Sequence, residues 1–147
     1  MTSWISGRGV RLMLVAALAI DVAYWSIWFV DRSWLASETT DAYYAFENAF
    51  PLADAWLGLT CLLALWALTR ESPTALLWLI AAGSAGMYLF GMDVLYDLEN
   101  DIYDKGAGGL IELAINLITL AFSVISLHWA WSNRDALLTG DSERDSA

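Results

Sequence analysis

Basic residues are scarce in this chain: seven Lys and Arg stand against seventeen Asp and Glu, which gives a formal net charge of −10. Charge of that sign repels the phosphates of nucleic acids, so we expect no nucleic-acid partner. Cys61 is the only cysteine. A single cysteine excludes an intramolecular disulfide and a thiolate-rich metal site.

Motifs for catalysis and cofactor binding are also missing. The sequence contains no recognisable Ser–His or Cys–His pairing, zinc motif or cofactor motif. We therefore expect no catalytic residue, no metal ligand and no cofactor, and a protein that is not an enzyme. Paired carboxylates are the one chemical basis for acid–base catalysis that the sequence retains.

Apolar residues, in contrast, are abundant. They make up 59% of the chain, above the roughly 45–50% that is typical of soluble proteins. Four apolar stretches approach the ~20 residues that a helix needs to cross a bilayer. We predict an all-α fold, an integral membrane four-helix bundle, with helices at about 10–30, 50–68, 75–95 and 108–131. A soluble bundle is the alternative, but its helices would need a polar face to meet water.

The distribution of positive charge predicts the topology. Residues 1–131 are expected to form one transmembrane domain, followed by a polar, disordered cytoplasmic tail at 132–147. Basic residues beside membrane helices favour the cytoplasm. With both termini inside, the cytoplasmic set is Arg8, Arg11, Arg70, Arg134 and Arg144, and the outer set is Arg32 and Lys105. The sequence thus predicts antiparallel hairpins, both termini cytoplasmic, in a multi-pass protein of the cell membrane.

The connections between the predicted helices differ in character. The inner hairpin at 70–73 is predicted to be a tight turn, because Pro73 cannot continue the second helix. The two outer loops are acidic. The first contains Asp31, Glu38, Asp41 and Glu47, and the second contains Asp97, Glu99, Asp101 and Asp104.

Each predicted helix contains one acidic residue: Asp21, Asp54, Asp93 and Glu112. Charged groups inside a bilayer are costly and are functional-site candidates by default. In the fourth helix, polar residues recur on one helical face. They are Glu112, Asn116, Thr119, Ser123 and Ser126. We expect these faces to meet inside the bundle, with Asp21, Asp54, Asp93, Glu112 and Asn116 as the candidate intramembrane polar site.

Two of these acids have a structural alternative. Asp54 and Glu112 fall in the first turn of their predicted helices, where a negative charge is stabilised by the helix dipole. Asp21 has no such explanation, because it is flanked by apolar residues well inside the first helix. The third helix also contains Ala82-x-x-x-Gly86, a spacing of small residues that lets a neighbouring helix approach closely.

Short motifs in all four predicted helices resemble a family of small uncharacterised bacterial four-helix membrane proteins, a domain of unknown function. The motifs are Asp21-x-x-Tyr24-Trp25, Phe50-Pro51-Leu52-x-Asp54, Ala85-Gly86-Met87 and Asn116. The resemblance implies the four-helix fold and a membrane location, and it implies no activity.

Two functions remain open from the sequence. The first is a non-enzymatic membrane protein with an outward-facing acidic pocket for a cation, a proton or a small cationic ligand. The second is an accessory or assembly subunit that uses its polar helix faces to contact a partner membrane subunit. A homo-oligomer is compatible with either, and both place the chain in a lipid bilayer.

The predicted topology can be tested by cysteine labelling. In a Cys61-free background, Asp41→Cys and Asp101→Cys should react with a membrane-impermeant thiol reagent from the outer side only, because the arginines collect at the opposite side. Labelling of either position only from the cytoplasm would invert the topology.

Overall fold

The computed structural model describes residues 6–139, and this part of the chain is helical without a strand. Four helices are long: α1 (Gly7–Asp31), α3 (Pro51–Thr69), α4 (Thr74–Glu99) and α5 (Gly106–Ser132). Two are short: α2 (Asp41–Glu47) and α6 (Arg134–Thr139). Single 3-10 turns at Arg32–Trp34 and Ile102–Asp104 complete the set.

The four long helices are long and apolar enough to cross a membrane. Large apolar side chains on them point outward, including Leu12, Val30, Leu52 and Leu117. A soluble bundle would expose such side chains to water, whereas a bilayer would cover them with lipid. The predicted four-helix, all-α architecture is therefore present in the described residues.

The long helices extend beyond the predicted ends, most of all at the end of α4. The sequence places Asp97 and Glu99 in an outer loop, but α4 continues through both. Asp97 is buried, because its carboxylate accepts a hydrogen bond from Asn116 on α5. A charged residue with a buried hydrogen-bond partner can be part of a helix. The polar residues of this stretch therefore do not indicate where α4 ends.

The predicted tail begins as a helix and not as a disordered segment. Ser132 is the last residue of α5, and residues 134–139 form α6. Leu137 of α6 packs against the apolar core, and the Arg134 guanidinium lies 4.7 Å from the centre of the Trp131 ring. These contacts explain why the segment folds. The rest of the predicted tail, 140–147, and with it Arg144, lies outside the described residues.

The helices pack in the order α1, α3, α4, α5, so that α3 and α4 are neighbours as the tight turn predicted. Glu71 in this turn adopts the left-handed conformation, with φ of 55°. The Ser72 amide donates to the Ala67 carbonyl at 2.9 Å, which closes α3 in the manner of a helix C-cap. From α1, Arg11 donates to the Leu68 carbonyl at 2.8 Å.

Two buried clusters lie at opposite ends of the bundle. The apolar core, near the end where α1 begins and α6 lies, is built around Val10, Leu14, Ala64 and Leu79. The aromatic cluster, at the end that carries α2, consists of Trp28, Tyr43 and Ile102 with aromatic neighbours packed around them. We call these ends the terminal end and the α2 end.

The helices α4 and α5 approach each other closely at two glycines. A Cβ atom added at Gly83 would lie 2.7 Å from Leu127 Cγ and 3.1 Å from the Ser123 carbonyl oxygen. One at Gly86 would lie 2.5 Å from Ser123 Oγ. These separations are too short for real contacts, so α5 occupies the space that a side chain would take. Gly86 belongs to the small-residue spacing that predicted such an approach.

Gly83→Ala should therefore destabilise the bundle by about 1–3 kcal/mol, the usual cost of overpacking. Gly91→Ala is the matched control on the same helix, since nothing lies within 4 Å of a Cβ placed there. It should be neutral or stabilising by up to about 1 kcal/mol. Reversible unfolding in mixed micelles, followed by circular dichroism, compares the two. Equal stability of the variants would refute the close α4–α5 contact.

Candidate functional site

Four of the five candidate residues line one cavity. Asp21 of α1, Asp54 of α3, Asp93 of α4 and Glu112 of α5 all contribute to its wall. The cavity has a volume of about 130 Å³, enough for several water molecules. A fifth acid, Glu47 of α2, also lines it. We call this space the acidic cavity.

Glu112 connects α5 to residues 35–50, which include α2 and which we call the α2 segment. Its side chain is only 6% exposed. The Ser37 hydroxyl donates to Glu112 Oε1 at 2.9 Å, and the Tyr43 hydroxyl donates to the same oxygen at 3.0 Å. Because α5 begins at Gly106, Glu112 lies beyond the first turn. The alternative of a simple helix-start residue is therefore wrong for Glu112.

Glu47 is the acid that the sequence did not single out. The sequence places it in an outer loop, but it closes α2 and is 8% exposed. The Tyr24 hydroxyl donates to Glu47 Oε2 at 3.2 Å. A signal was present in the sequence, since Tyr43 and Glu47 are four residues apart behind Thr40, a good N-cap residue. In the structure the Thr40 hydroxyl accepts from the Tyr43 amide at 3.2 Å.

Asp54 and Asp21 occupy different surroundings. Asp54 lies in the first turn of α3, as expected, and Trp25 Nε1 donates to its Oδ2 at 2.9 Å. The Asp21 carboxylate receives no hydrogen bond from residues 6–139, and it fits against Gly58 of α3. A Cβ at Gly58 would lie 2.7 Å from Asp21 Oδ2. The glycine thus provides the room that the Asp21 side chain occupies.

Asp93 completes the set of four. It is partly buried, and its carboxylate accepts no hydrogen bond within residues 6–139. Asp21 and Asp93 therefore present their carboxylates to the cavity without a fixed donor, whereas Asp54, Glu47 and Glu112 are each held by at least one.

Asn116 is the candidate that does not line the acidic cavity. Its amide nitrogen donates to Asp97 Oδ2 at 2.8 Å and to the Tyr103 hydroxyl oxygen at 3.0 Å. Burial, with a contribution from the Asp97 carboxylate, raises the pKa of Tyr103 to about 12. The phenol therefore stays neutral in this polar contact between α4, α5 and the Ile102–Asp104 turn. Asn116 belongs to helix packing in this structure.

The α2 end of the acidic cavity is covered. The α2 segment lies across it, with Tyr43 buried in the aromatic cluster and bonded to a cavity acid. Glu38 and Lys105 form an ion pair that fastens the same segment to the turn before α5. The outward-facing opening of the pocket that the sequence predicts stays a prediction.

Charge is unbalanced inside the cavity. Its lining residues include five acids and no Lys or Arg. Among residues 6–139, no three Asp, Glu, His or Cys side chains are grouped closely enough to hold a metal ion. The wall is otherwise apolar and aromatic, with Tyr24, Trp25, Phe50 and Phe122 among its residues. Such a lining favours a positive charge over a negative one.

Comparison with known proteins found no matching protein family, curated protein or solved structure. The family resemblance noted in the sequence stays a prediction, and function has to be argued from the cavity.

The bond between Tyr43 and Glu112 can be measured by a double-mutant cycle. Tyr43→Phe and Glu112→Leu should show a coupling energy of about 0.6–1.7 kcal/mol, the range found for hydrogen bonds between membrane helices. Tyr88→Phe serves as the control, because Tyr88 is exposed on α4. Its coupling to Glu112→Leu should be zero within error. A Tyr43 coupling no larger than that of Tyr88 would contradict the bond.

Proposed function

We propose that this chain is a multi-pass protein of the cell membrane, with both termini in the cytoplasm, whose acidic cavity binds a proton or a cation. The membrane location is supported by four helices of sufficient length and apolarity and by the apolar side chains on their outer faces. The orientation is supported by the arginines near the terminal end.

One observation carries the proposed binding: acids from all four long helices, together with Glu47, surround the same small space without a basic side chain. Several negative charges confined in a poorly hydrated space repel one another, and low polarity strengthens the repulsion. A positive charge, supplied as a proton or as a bound cation, relieves it. The cavity therefore has a physical preference for ligands of that sign.

We further propose that the protein is not an enzyme. The hydrogen-bond donors to the cavity acids within residues 6–139 include no His, Cys or Lys. Each hydrogen bond that they receive there comes from a Tyr, Ser or Trp donor. Such donors position carboxylates and leave them free to hold a charge.

A role as an accessory subunit is the second candidate. The polar faces that would meet a partner contact each other within the chain, as Asn116 does with Asp97. An assembly role would need another surface. A shallow groove between α3 and α4, lined by Ala49, Ala53, Ala81 and Ala85 among others, is the surface that would let a second helix approach.

The state of the cavity acids can be tested by infrared difference spectroscopy. Asp21→Asn and Glu112→Gln keep side-chain shape and remove charge, so both variants should insert and fold. At neutral pH and without added cation, at least one of them should remove a protonated-carboxyl band that the unchanged protein shows. Adding a cation that binds in the cavity should remove the same band, because the cation takes the place of the proton.

Asp101→Asn is the control, because Asp101 is exposed in the turn after α4 and tolerates asparagine at its φ of 52°. That variant should leave the spectrum unchanged. If all cavity acids proved ionised with no cation bound, the proposal would be wrong and the accessory-subunit hypothesis would replace it.

A further inference from the structure

The side of the acidic cavity between α1 and α5 is packed more loosely than its other sides. The α4–α5 contact is close at Gly83 and Gly86, and α3 packs on both α1 and α4. Between α1 and α5 the contacts are sparse. Ile20 of α1 and Ile118 of α5 line the cavity, yet they are 53% and 56% exposed. Both residues therefore reach the cavity and the outer surface of the bundle at once.

Access from either end is restricted by packing. Toward the α2 end lie Trp28, Tyr43 and Ile102 of the aromatic cluster, which are all buried. Toward the terminal end lies the apolar core, where Leu14 and Leu79 are fully buried. The α1–α5 side is the remaining side. For a bundle in a membrane, that side faces the hydrocarbon of the bilayer and not water.

The side chains of Glu112 and Glu47 are nearly buried, and each has one carboxylate oxygen that receives no hydrogen bond from residues 6–139. Glu112 receives both of its hydrogen bonds at Oε1, and within residues 6–139 nothing bonds its Oε2. Glu47 receives its one bond at Oε2, and its Oε1 has no donor among the same residues. Both side chains are more than nine-tenths buried and line the cavity. Neither of these two oxygens is among the fully buried atoms without a partner in residues 6–139, so both can accept a hydrogen bond from a ligand in the cavity.

The acidic and aromatic lining of the cavity indicates which chemical class of hydrogen-bond donor fits it. An ammonium group carries three N–H donors and a positive charge, which matches oxygens spread over several helices. Aromatic faces attract such a group, and Tyr24, Trp25, Phe50 and Phe122 line the same space. An alkyl chain attached to the ammonium could leave between Ile20 and Ile118, where the surface is apolar.

We propose, on the basis of the function proposed above, that the ligand is an alkylammonium amphiphile. Its ammonium group occupies the acidic cavity, its chain lies between α1 and α5, and it reaches the site from the bilayer. Ile20 and Ile118 form the lateral opening, and Glu47 and Glu112 hold the head group.

The test uses the full chain in lipid nanodiscs and isothermal titration with three probes, with empty nanodiscs subtracted. Octylammonium has both the head group and the chain. Methylammonium has the head group without the chain, and 1-octanol has the chain without the charge. Octylammonium should bind saturably with one site per chain, at least about tenfold more tightly than methylammonium. Octanol should only partition into the lipid.

Two variants locate the opening. Ile118→Trp places a large side chain at the α1–α5 side and should weaken octylammonium binding at least about tenfold. Leu117→Trp is the matched control: Leu117 is equally exposed, at 56%, but does not line the cavity. It should leave binding within about twofold of the unchanged protein. Equal effects of the two variants would overturn the lateral opening.

The remaining outcomes separate this inference from the proposed function. Methylammonium binding as tight as that of octylammonium, unaffected by Ile118→Trp, would show that the cavity loads from water. The inference would then fail and the proposed function would stand. The inference fails in the same way if neither amine binds but the carboxyl band still responds to protons or inorganic cations. If the carboxyls are ionised and no amine or inorganic cation binds, both fail.

Discussion

Confinement of like charge is the constraint that organises this bundle. Five acids share one small space between apolar helices, and no basic side chain lines it. In a bilayer no bulk water is available to screen them, so their charge has to be removed by a proton or compensated by a ligand. The hydroxyl and indole donors on three of the acids ease this cost only in part, because a neutral donor supplies no positive charge. The proposed proton or cation would supply that charge.

Two of these acids, Glu112 and Glu47, also connect separate helices through hydrogen bonds. Glu112 fastens the α2 segment to α5 through Ser37 and Tyr43, and Glu47 fastens the end of α2 to Tyr24 of α1. The α2 segment covers the cavity by virtue of these bonds. A change in the charge of either acid would alter both the cavity and its cover, since one oxygen of each faces a structural donor and the other has none within residues 6–139. The proposed binding would therefore be physically coupled to the position of α2.

Hydropathy was sufficient to predict the four long helices, because a helix of ~20 apolar residues is a strong and local signal. It was also sufficient to place Asp21, Asp54, Asp93 and Glu112 inside them. Glu47 and Asp97 could not be assigned in this way. Each is an acid among polar neighbours, which locally predicts a loop. Their burial depends on partners distant in the sequence, Tyr24 for one and Asn116 for the other.

The loose packing on the α1–α5 side of the cavity follows from the types of residue on the helix faces. Where α4 meets α5, glycines let the backbones approach until no space is left. On the opposite side, Asp21 fits against Gly58, which draws α1 toward α3. Ile20 and Ile118, both β-branched, stand between α1 and α5. β-Branched side chains hold two backbones further apart than glycines do. The helices are consequently packed closely where glycines lie and loosely between α1 and α5, which is the side of the proposed lateral opening.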